Sequence, residues 1–557
     1  MRRLQSMPCS GATLWVALGI LGLLAFSAPA GVTYAACNTV VPLGCEGQWR
    51  VAGQNLANTR YQATENKISP TNVSELQVQW VFTTENDVSA TPTVFGNDVY
   101  VPDWAGNLFS IDQKTGRANW SRKISDYTGV AGSMSRNSPA VDGNALILGT
   151  WPPGGQVASG KWPTGAGAQV LAVKRQTGAL LWKTTVDSFV SSQITGSPIV
   201  FRNTVYVGVS SGEEGLAAQE PGYTCCVFRG SVVALDANTG RLLWQTYMVP
   251  DGYSGGAVWS PPAVDVRRNA LIVVTGNNYS VPPDVKECQQ NMQPPGCNPR
   301  GAPNNYFDAV VALDLQTGAV KWATGVEQFD TWTRACLSTT SPTPNCPVPS
   351  SPDYDFAGGV SLFMDVQGHG PPRDVIGAGQ KSGIYWAFDP NDGHILWSTQ
   401  VGPGGTLGGI EWGSAAGGDE SRIYVAIANN AGTPWYISGQ KVEAGLWSAL
   451  DAATGEIIWQ TADPTGGIDP GPVSVANGVV YTGSMDRDSK GLFASPGSNM
   501  HALDAATGKI LWSFASGGSV NSAPAVVNGV VYWGSGYRRR GLGYGNNKLY
   551  SFSVPRH

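Results

Sequence analysis

Short runs of apolar residues recur along the chain. Each is closed by a tight turn and followed by a second run that ends in tryptophan. In 233–244 (VALDANTGRLLW), Asp236 can accept hydrogen bonds from turn N–H groups and Gly240 can adopt a positive φ. The phrase therefore predicts a strand, a turn and a second strand. It occurs seven times, at 110–120, 171–182, 233–244, 311–322, 386–397, 448–459 and 501–512.

A further pair of predicted strands precedes these phrases, as in 138–149 (SPAVDGNALILG). Four strands per unit are typical of a propeller blade. Trp80 ends a strand with no phrase before it, while 548–554 (KLYSFSV) begins a phrase with no Trp after it. We therefore predict an all-β fold, an eight-bladed β-propeller in which N- and C-terminal strands share one blade. Closing the ring removes exposed sheet edges, and the repeated Asp, Gly and Trp are predicted to be structural.

Composition agrees with this fold and excludes other classes. The 557 residues include 71 Gly and 20 Trp, and only 13% are charged, against roughly 25% in ordinary soluble domains. Coiled coils and disordered chains have the opposite bias. The net charge of −5 and the pI of about 5.5 argue against a nucleic-acid partner.

The N-terminus has the pattern of a secretory signal peptide. Arg2 and Arg3 precede an apolar run at 14–26, and small residues follow up to Ala36. The run is shorter than the about 20 residues that span a membrane. We predict a cleaved signal at 1–36, a propeller domain at 37–557, a periplasmic or secreted location and no stable membrane insertion. An alternative is that Cys37 becomes the first residue after cleavage and is lipidated.

Eight cysteines remain after the predicted cleavage, and they fall into four neighbouring couples. An even set in an exported protein predicts disulfides. Spacing favours pairing between neighbours but leaves other connectivities open, including bonds from Cys225 or Cys226 to Cys288 or Cys297. The couples are Cys37 and Cys45, Cys225 and Cys226, Cys288 and Cys297, and Cys336 and Cys346.

The repeat is most strongly interrupted after Trp244 and Trp322, where the two longest intervals between successive blade tryptophans begin. The extra segments, 280–303 and 328–353, are predicted to be loops that each carry a cysteine couple. Long loops commonly serve a site, so they would form a wall over one face of the propeller. The alternative is that they only shield or stabilise it.

Polar fragments follow several predicted strands. They are 135–139 (SRNSP), 210–215 (SSGEEG), 276–278 (GNN), 353–358 (DYDFAG) and 380–383 (QKSG). Carboxylate and amide oxygens of this kind suit a hard cation such as calcium. With Trp259 placed 18 residues before Asn277, the ordered set resembles the pyrroloquinoline quinone (PQQ) dependent alcohol dehydrogenases, from about Trp49 to the end of the chain.

The resemblance implies roles for individual residues. Asp355 would be the catalytic base, and Lys381 would stabilise a developing negative charge on oxygen. Glu214, Asn277 and Asp355 would hold Ca²⁺, and Trp259 would form the floor beneath the PQQ ring. An adjacent disulfide between Cys225 and Cys226 is implied as well. The full set implied to contact the cofactor is Arg136, Thr195, Ser211, Gly212, Glu213, Cys225, Cys226, Trp259, Lys381 and Asn429.

Two departures from the family pattern narrow the resemblance. The adjacent cysteine pair comes shortly after Glu214 instead of before the earlier arginine, and no tryptophan occurs around 470–472 (PGP). Both resemble the polyvinyl alcohol dehydrogenase branch. Ala357, two residues after the implied base, favours calcium over a lanthanide.

The resemblance predicts a PQQ-dependent enzyme that oxidises secondary alcohols and passes electrons to an external cytochrome c. The alternatives are a quinoprotein for sugars, aldehydes or small primary alcohols, and a non-catalytic assembly or binding propeller.

Overall fold

The structure is a computed structural model. It describes residues 47–152, 167–219, 222–291, 297–337, 344–368, 370–417, 421–487, 497, 499–538 and 542–555. The predicted signal peptide, Cys37 and Cys45 lie outside these ranges. No helix among the described residues is both long enough and apolar enough to span a bilayer.

Eight antiparallel sheets of four main strands follow one another along the described chain, as the repeat predicted. The described residues contain three α-helices, α1 (Ile124–Thr128), α2 (Glu213–Gln219) and α3 (Pro283–Asn291). Two short 3₁₀ helices lie at Val73–Glu75 and Arg334–Leu337. The strands are β1 (Tyr61–Gln62), β2 (Gln77–Thr83), β3 (Thr93–Phe95), β4 (Asp98–Pro102), β5 (Asn107–Asp112), β6 (Ala118–Lys123), β7 (Ala140–Asp142), β8 (Ala145–Gly149), β9 (Ala168–Lys174), β10 (Leu180–Asp187), β11 (Ser192–Gln193), β12 (Ile199–Phe201), β13 (Thr204–Ser211), β14 (Ser231–Asp236), β15 (Leu242–Tyr247), β16 (Ser254–Gly255), β17 (Ala263–Asp265), β18 (Ala270–Val274), β19 (Asn278–Ser280), β20 (Ala309–Asp314), β21 (Val320–Gly325), β22 (Val360–Val366), β23 (Arg373–Gly379), β24 (Ile384–Phe388), β25 (Ile395–Gln400), β26 (Ala415–Ala416), β27 (Arg422–Ile427), β28 (Trp435–Ile437), β29 (Gln440–Val442), β30 (Leu446–Asp451), β31 (Ile457–Ala462), β32 (Ser474–Ala476), β33 (Val479–Gly483), β34 (Met500–Asp504), β35 (Ile510–Phe514), β36 (Ala525–Val527), β37 (Val530–Ser535) and β38 (Lys548–Ser553).

The ring closes through a sheet made from both ends of the described chain. The N-terminal strand β2 pairs with the C-terminal strand β38, which continues through β37 to β36. In this pairing Val81 lies opposite Tyr550 and Phe82 opposite Leu549. The predicted shared blade is therefore confirmed.

The repeated tryptophans and glycines join each blade to the next. The indole Nε1 of Trp244 donates to Leu315 O at 3.2 Å, in the turn of the following blade. Gly318 of that turn has φ +70, and a Cβ there would lie 2.5 Å from the Trp244 ring. The turn aspartate, Asp314, accepts from the N–H of Thr317 at 2.9 Å. These residues are structural, as the repeat predicted.

The hydrophobic core lies between the faces of neighbouring sheets. One cluster joins Val232 and Ala234 of β14 to Leu271 and Val273 of β18. All four of these side chains are almost fully buried. Burial is greatest on the inner strands, whereas outer strands such as β2 and β15 are partly exposed.

The structure corrects one part of the loop prediction. The insertion 280–303, predicted as a loop, contains helix α3, and Cys288 within that helix is bonded to Cys297. The second insertion carries the Cys336–Cys346 disulfide. The adjacent pair Cys225–Cys226 is also bonded, which confirms neighbour pairing for all six cysteines in the described ranges.

Candidate active site

The second strand of several blades ends at one face of the propeller, and the residues that follow these strands line a cavity there. Ser211 ends β13, Asn277 follows β18, and Lys381 follows β23. The cavity has a volume of about 280 Å³. A second part of about 190 Å³ adjoins it and shares Trp259 and Lys381 with it.

A buried lysine joins two carboxylates in the lining of this cavity. Lys381 Nζ lies 2.9 Å from Asp355 Oδ2 and 3.1 Å from both oxygens of Asp353. The other oxygen of Asp355, Oδ1, accepts the backbone N–H of Asn277 at 2.8 Å. All three charged side chains are less than a tenth exposed. The Asp355 carboxylate is therefore fixed from two sides.

The charges of this group determine its protonation. Burial alone would lower the pKa of Lys381, but the negative charges of Asp353 and Asp355 outweigh it and raise that pKa well above its usual value. Lys381 is therefore positively charged at neutral pH.

The wall beside Asp355 presents oxygen atoms. Asn277 donates through Nδ2 to the carbonyl oxygens of Asn278 and Trp332, both at 2.9 Å. Its Oδ1 is consequently the side-chain atom left for the cavity. Glu214, near the start of α2, lines the same cavity. A carboxylate and an amide oxygen are ligands that calcium accepts.

An aromatic and basic surface forms the rest of the cavity. The Trp259 ring has its centroid 5.5 Å from Lys381 Nζ, and it packs edge-on against Trp412 at 5.2 Å. The Arg136 guanidinium lies 4.3 Å from the centroid of the Trp412 ring. Thr195 Oγ1 lies 2.8 Å from Ser210 Oγ. The surface thus offers a flat apolar floor with cations and hydroxyls at its edge, which suits a planar anionic molecule.

The adjoining part of the cavity is mostly apolar but contains one buried acid. Ile468, Met485 and Leu542 line it together with Glu411. Burial raises the pKa of Glu411 to about 7, although the charges of Lys381 and Arg136 oppose this shift.

Comparison with known proteins identifies the family. A model described as "Glucose/ethanol/alcohol dehydrogenase, beta-propeller domain" matches residues 49–335, and its short name is PQQ. A polyvinylalcohol dehydrogenase of Pseudomonas sp is 30% identical, with the alignment covering 92% of this chain and 78% of that protein. The chain belongs to the PQQ-dependent alcohol dehydrogenase family.

Other comparisons agree with this assignment. The polyvinylalcohol dehydrogenase of Sphingopyxis sp. (strain 113P3) is 29% identical, with coverage of 92% of this chain and 76% of that protein. The crystal structure of quinohemoprotein alcohol dehydrogenase from Comamonas testosteroni superposes with a TM-score of 0.65 at 21% identity, covering 92% of this chain and 82% of that one. This likeness shows the eight-bladed fold.

A second family model, described as outer membrane protein assembly factor BamB, matches residues 443–553.

The residues of this PQQ-dependent dehydrogenase fit both groups implied by the sequence. The flat Trp259 floor with Arg136 and Lys381 suits a planar quinone that carries carboxylates. Among the described residues, no three His, Cys, Asp or Glu side chains are grouped so that they could hold a metal alone. Glu214 and Asn277 would therefore supply part of a calcium shell, and oxygen atoms of the cofactor would complete it.

Most residues assigned to the site by sequence lie together. The lining of the larger cavity includes Arg136, Thr195, Ser211, Gly212, Glu214, Trp259, Asn277, Asp355 and Lys381.

Four assigned residues, all within the described ranges, are not part of either cavity lining. They are Glu213, Cys225, Cys226 and Asn429. The Glu213 carboxylate accepts from the Tyr223 hydroxyl and from the backbone N–H groups of Val227 and Phe228, so it holds the segment that contains Cys225–Cys226. The Asn429 amide is bonded to Thr433 and Ala444 within its own loop. The neighbouring Asn430 lines the cavity instead.

Sequence reasoning gave no role to Asp353, Glu411 or Trp412. Asp353 stands two residues before the predicted base, and this spacing was the available signal for it. Glu411 and Trp412 follow a Gly-rich segment, 404–409, and no strand or repeat marks them. Both line the smaller part of the cavity.

Proposed function

We propose that this enzyme oxidises secondary alcohols, including those along polyvinyl alcohol, with PQQ and Ca²⁺ bound in the larger cavity. It passes the electrons to an external cytochrome c in the periplasm or outside the cell. The observation that carries the proposal is the buried Asp355–Lys381 pair beside the aromatic floor of Trp259. Bound PQQ supplies the quinone that accepts a hydride, and calcium supplies Lewis acidity.

Asp355 is placed to remove the proton of the substrate hydroxyl. Its carboxylate is oriented by the Asn277 N–H and by Lys381, so it meets the alcohol in a fixed position. A positioned general base contributes about 10²–10⁴ to the rate. The base also lies at the cavity surface, where an alcohol can reach it.

Lys381 is placed to stabilise negative charge on oxygen. Its ammonium is buried and held by two carboxylates, so it does not need to reorganise as charge develops. A preorganised cation in a site shielded from water is an effective electrostatic catalyst. Trp259 would support the flat cofactor, and Arg136, Thr195 and Ser211, which line the same cavity, would bind its polar groups.

The apolar part of the cavity supports the substrate assignment. Ile468, Met485 and Leu542 can accept the carbon chain on either side of a secondary carbinol. Two relatives that match most of this chain are named polyvinylalcohol dehydrogenases. A quinoprotein for sugars, aldehydes or small primary alcohols is the alternative in the same family.

Reconstitution tests the proposal directly. Purified protein is loaded with PQQ and Ca²⁺, and dye reduction is followed with polyvinyl alcohol, a small secondary alcohol, a primary alcohol, a sugar and an aldehyde. We expect turnover of the first two and reduction of added cytochrome c. Faster turnover of the primary alcohol, sugar or aldehyde would refute the substrate assignment. Absence of PQQ binding would refute the function.

A further inference from the structure

A short segment, Asp330 to Thr333, lies between two parts of the site whose relative position matters for catalysis. One part is the end of the Asn277–Asn278 segment, which carries the predicted calcium ligand. The other is the segment at 351–355, which carries the base. Neither cofactor nor substrate needs to touch Asp330 itself, which is 2% exposed. Any role of Asp330 in the site therefore depends on the two segments to which it is hydrogen-bonded.

On one side, this segment is hydrogen-bonded to the segment that carries Asn277, the predicted calcium ligand. Asn278 N donates to Asp330 O at 2.9 Å, and Trp332 N donates to Asn278 O at 3.0 Å. Asn278 and Thr331 thus form a parallel bridge. Asn277 Nδ2 donates to Trp332 O and to Asn278 O, both at 2.9 Å, which leaves Oδ1 of Asn277 as the atom available to a cation. The segment therefore sets the orientation of the amide.

On its other side the same segment holds the base. The Asp330 carboxylate accepts the backbone N–H of Tyr354 at 2.6 Å through Oδ2. Thr331 N donates to Ser351 Oγ at 2.8 Å. Asp330 is thus bonded through its main chain to Asn278 and through its side chain to Tyr354. Tyr354 immediately precedes the base, Asp355.

A second acid lies behind Asp330. Asp308 is fully buried, and within the described residues neither of its carboxylate oxygens has a hydrogen-bond partner. Its side chain therefore takes no part in the contacts by which Asp330 joins Asn278 to Tyr354.

We propose that Asp330 is a positioning residue that sets Asn277 and Asp355 at their working separation, and so tunes both metal affinity and turnover. The proposal rests on the calcium site and on the base assigned under the proposed function. The residues that position metal ligands commonly contribute about 10–100-fold in metal affinity or activity.

The test uses the protein supplied with PQQ, with Tb³⁺ in place of calcium as the probe and luminescence sensitised by the cavity tryptophans. Asp330→Ala removes the acceptor for Tyr354 N–H and should weaken Tb³⁺ binding by about 10–100-fold. Asp330→Asn keeps an acceptor for Tyr354 and can donate to Asp308, so wild-type affinity should return. Asp308→Asn is the matched control, because the Asp308 side chain has no hydrogen bond to either segment, and it should leave the affinity unchanged.

Turnover supplies a second measurement. With saturating PQQ and calcium, Asp330→Ala should lower kcat without raising KM for the alcohol, because the base is displaced while the apolar cavity is intact. Asp330→Glu, which displaces the acceptor by one methylene, should weaken Tb³⁺ binding as well, and it replaces Asp330→Ala if that variant does not fold. Unaltered Tb³⁺ affinity in the folded variant would overturn the positioning role.

The calcium site and the role of Asp330 can be refuted separately. If the wild type binds Tb³⁺ no better than a Glu214→Gln variant, the calcium site itself is wrong. If the wild type binds Tb³⁺ through Glu214 but Asp330→Ala binds equally well, only the role of Asp330 is refuted.

Discussion

Lys381 Nζ lies 2.9 Å from Asp355 Oδ2 and, on its other side, 3.1 Å from Asp353. The two aspartates share the lysine but differ in their other contacts. Asp355 also accepts the Asn277 N–H and is therefore tied to the strand end that carries the predicted metal ligand. This difference separates the predicted base from a residue of the same type only two positions away.

Asp355→Asn should strongly lower turnover in the PQQ- and calcium-loaded enzyme, because the amide cannot accept the hydroxyl proton. The expected loss in kcat is about 10²–10⁴-fold. Asp353→Asn is the matched control, since it removes the same charge beside the same lysine and should cost much less. Equal losses in the two variants would show that the charge on Lys381, and not a base at Asp355, controls the rate.

Lys381→Met should lower kcat by about 10²–10³-fold, the range for losing one preorganised electrostatic contact in an active site. The substitution preserves much of the side-chain volume but removes the charge that Asp353 and Asp355 surround. Stopped-flow reduction at saturating alcohol measures the chemical step. An unchanged step would exclude Lys381 from charge stabilisation.

Glu214→Gln and Glu213→Gln should have different effects although the two residues are adjacent. Glu214 lines the cavity, so its amide variant should lose calcium affinity at an unchanged melting temperature. Glu213 binds the backbone at Val227 and Phe228, so its variant should melt earlier but keep calcium affinity. Calorimetric titration and thermal melts separate the two effects, and the reverse pattern would contradict both assignments.

Asp469→Asn should stabilise the protein at neutral pH. Asp469 is fully buried, and neither carboxylate oxygen has a hydrogen-bond donor among the described residues. Burial, followed by the charge of Asp463, raises the pKa of Asp469 well above its usual value. The stability that the protonated form provides is complete below the unfolded pKa of about 4 and is lost as pH rises above it.

Urea unfolding between pH 4 and pH 8 measures this effect. The wild type should lose stability with rising pH more steeply than Asp469→Asn. Asp236→Asn is a control of opposite sign, because the hydrogen bond from Thr239 lowers the pKa of this turn aspartate. Parallel pH dependences for the wild type and Asp469→Asn would show that Asp469 is ionised in the folded protein.

Gly318→Ala should destabilise the contact between two blades. Its φ of +70 strains any L-residue, and the new Cβ would lie 2.5 Å from the Trp244 ring. Gly439→Ala has a similar φ of +81 but no atom within 4 Å of the new Cβ. Both variants should lose about 1–2 kcal/mol to backbone strain, and Gly318→Ala a further 1–3 kcal/mol, roughly, to overpacking. Equal free energies of unfolding would mean that the blades adjust without cost.

The number of blades and their closure were predictable because the determinants are local and repeated. An Asp, a Gly and a Trp at fixed spacing specify a turn and a strand wherever they occur, and the incomplete phrases at Trp80 and at 548–554 complement each other. Helix α3 was missed because it lies in an insertion without the repeat, where only the Cys288–Cys297 couple gave a signal.

The sequence by itself determined the fold, the family and the residue types of the site, since these depend on short patterns copied along the chain. Only the tertiary structure decided which way each side chain points. It turned Glu213 towards the Cys225–Cys226 segment and Asn429 into its own loop, and it brought Glu411 to the cavity. The physical reason is that a blade fixes where a strand ends, whereas hydrogen bonds from neighbouring blades and insertions decide which polar atom remains to face the cavity.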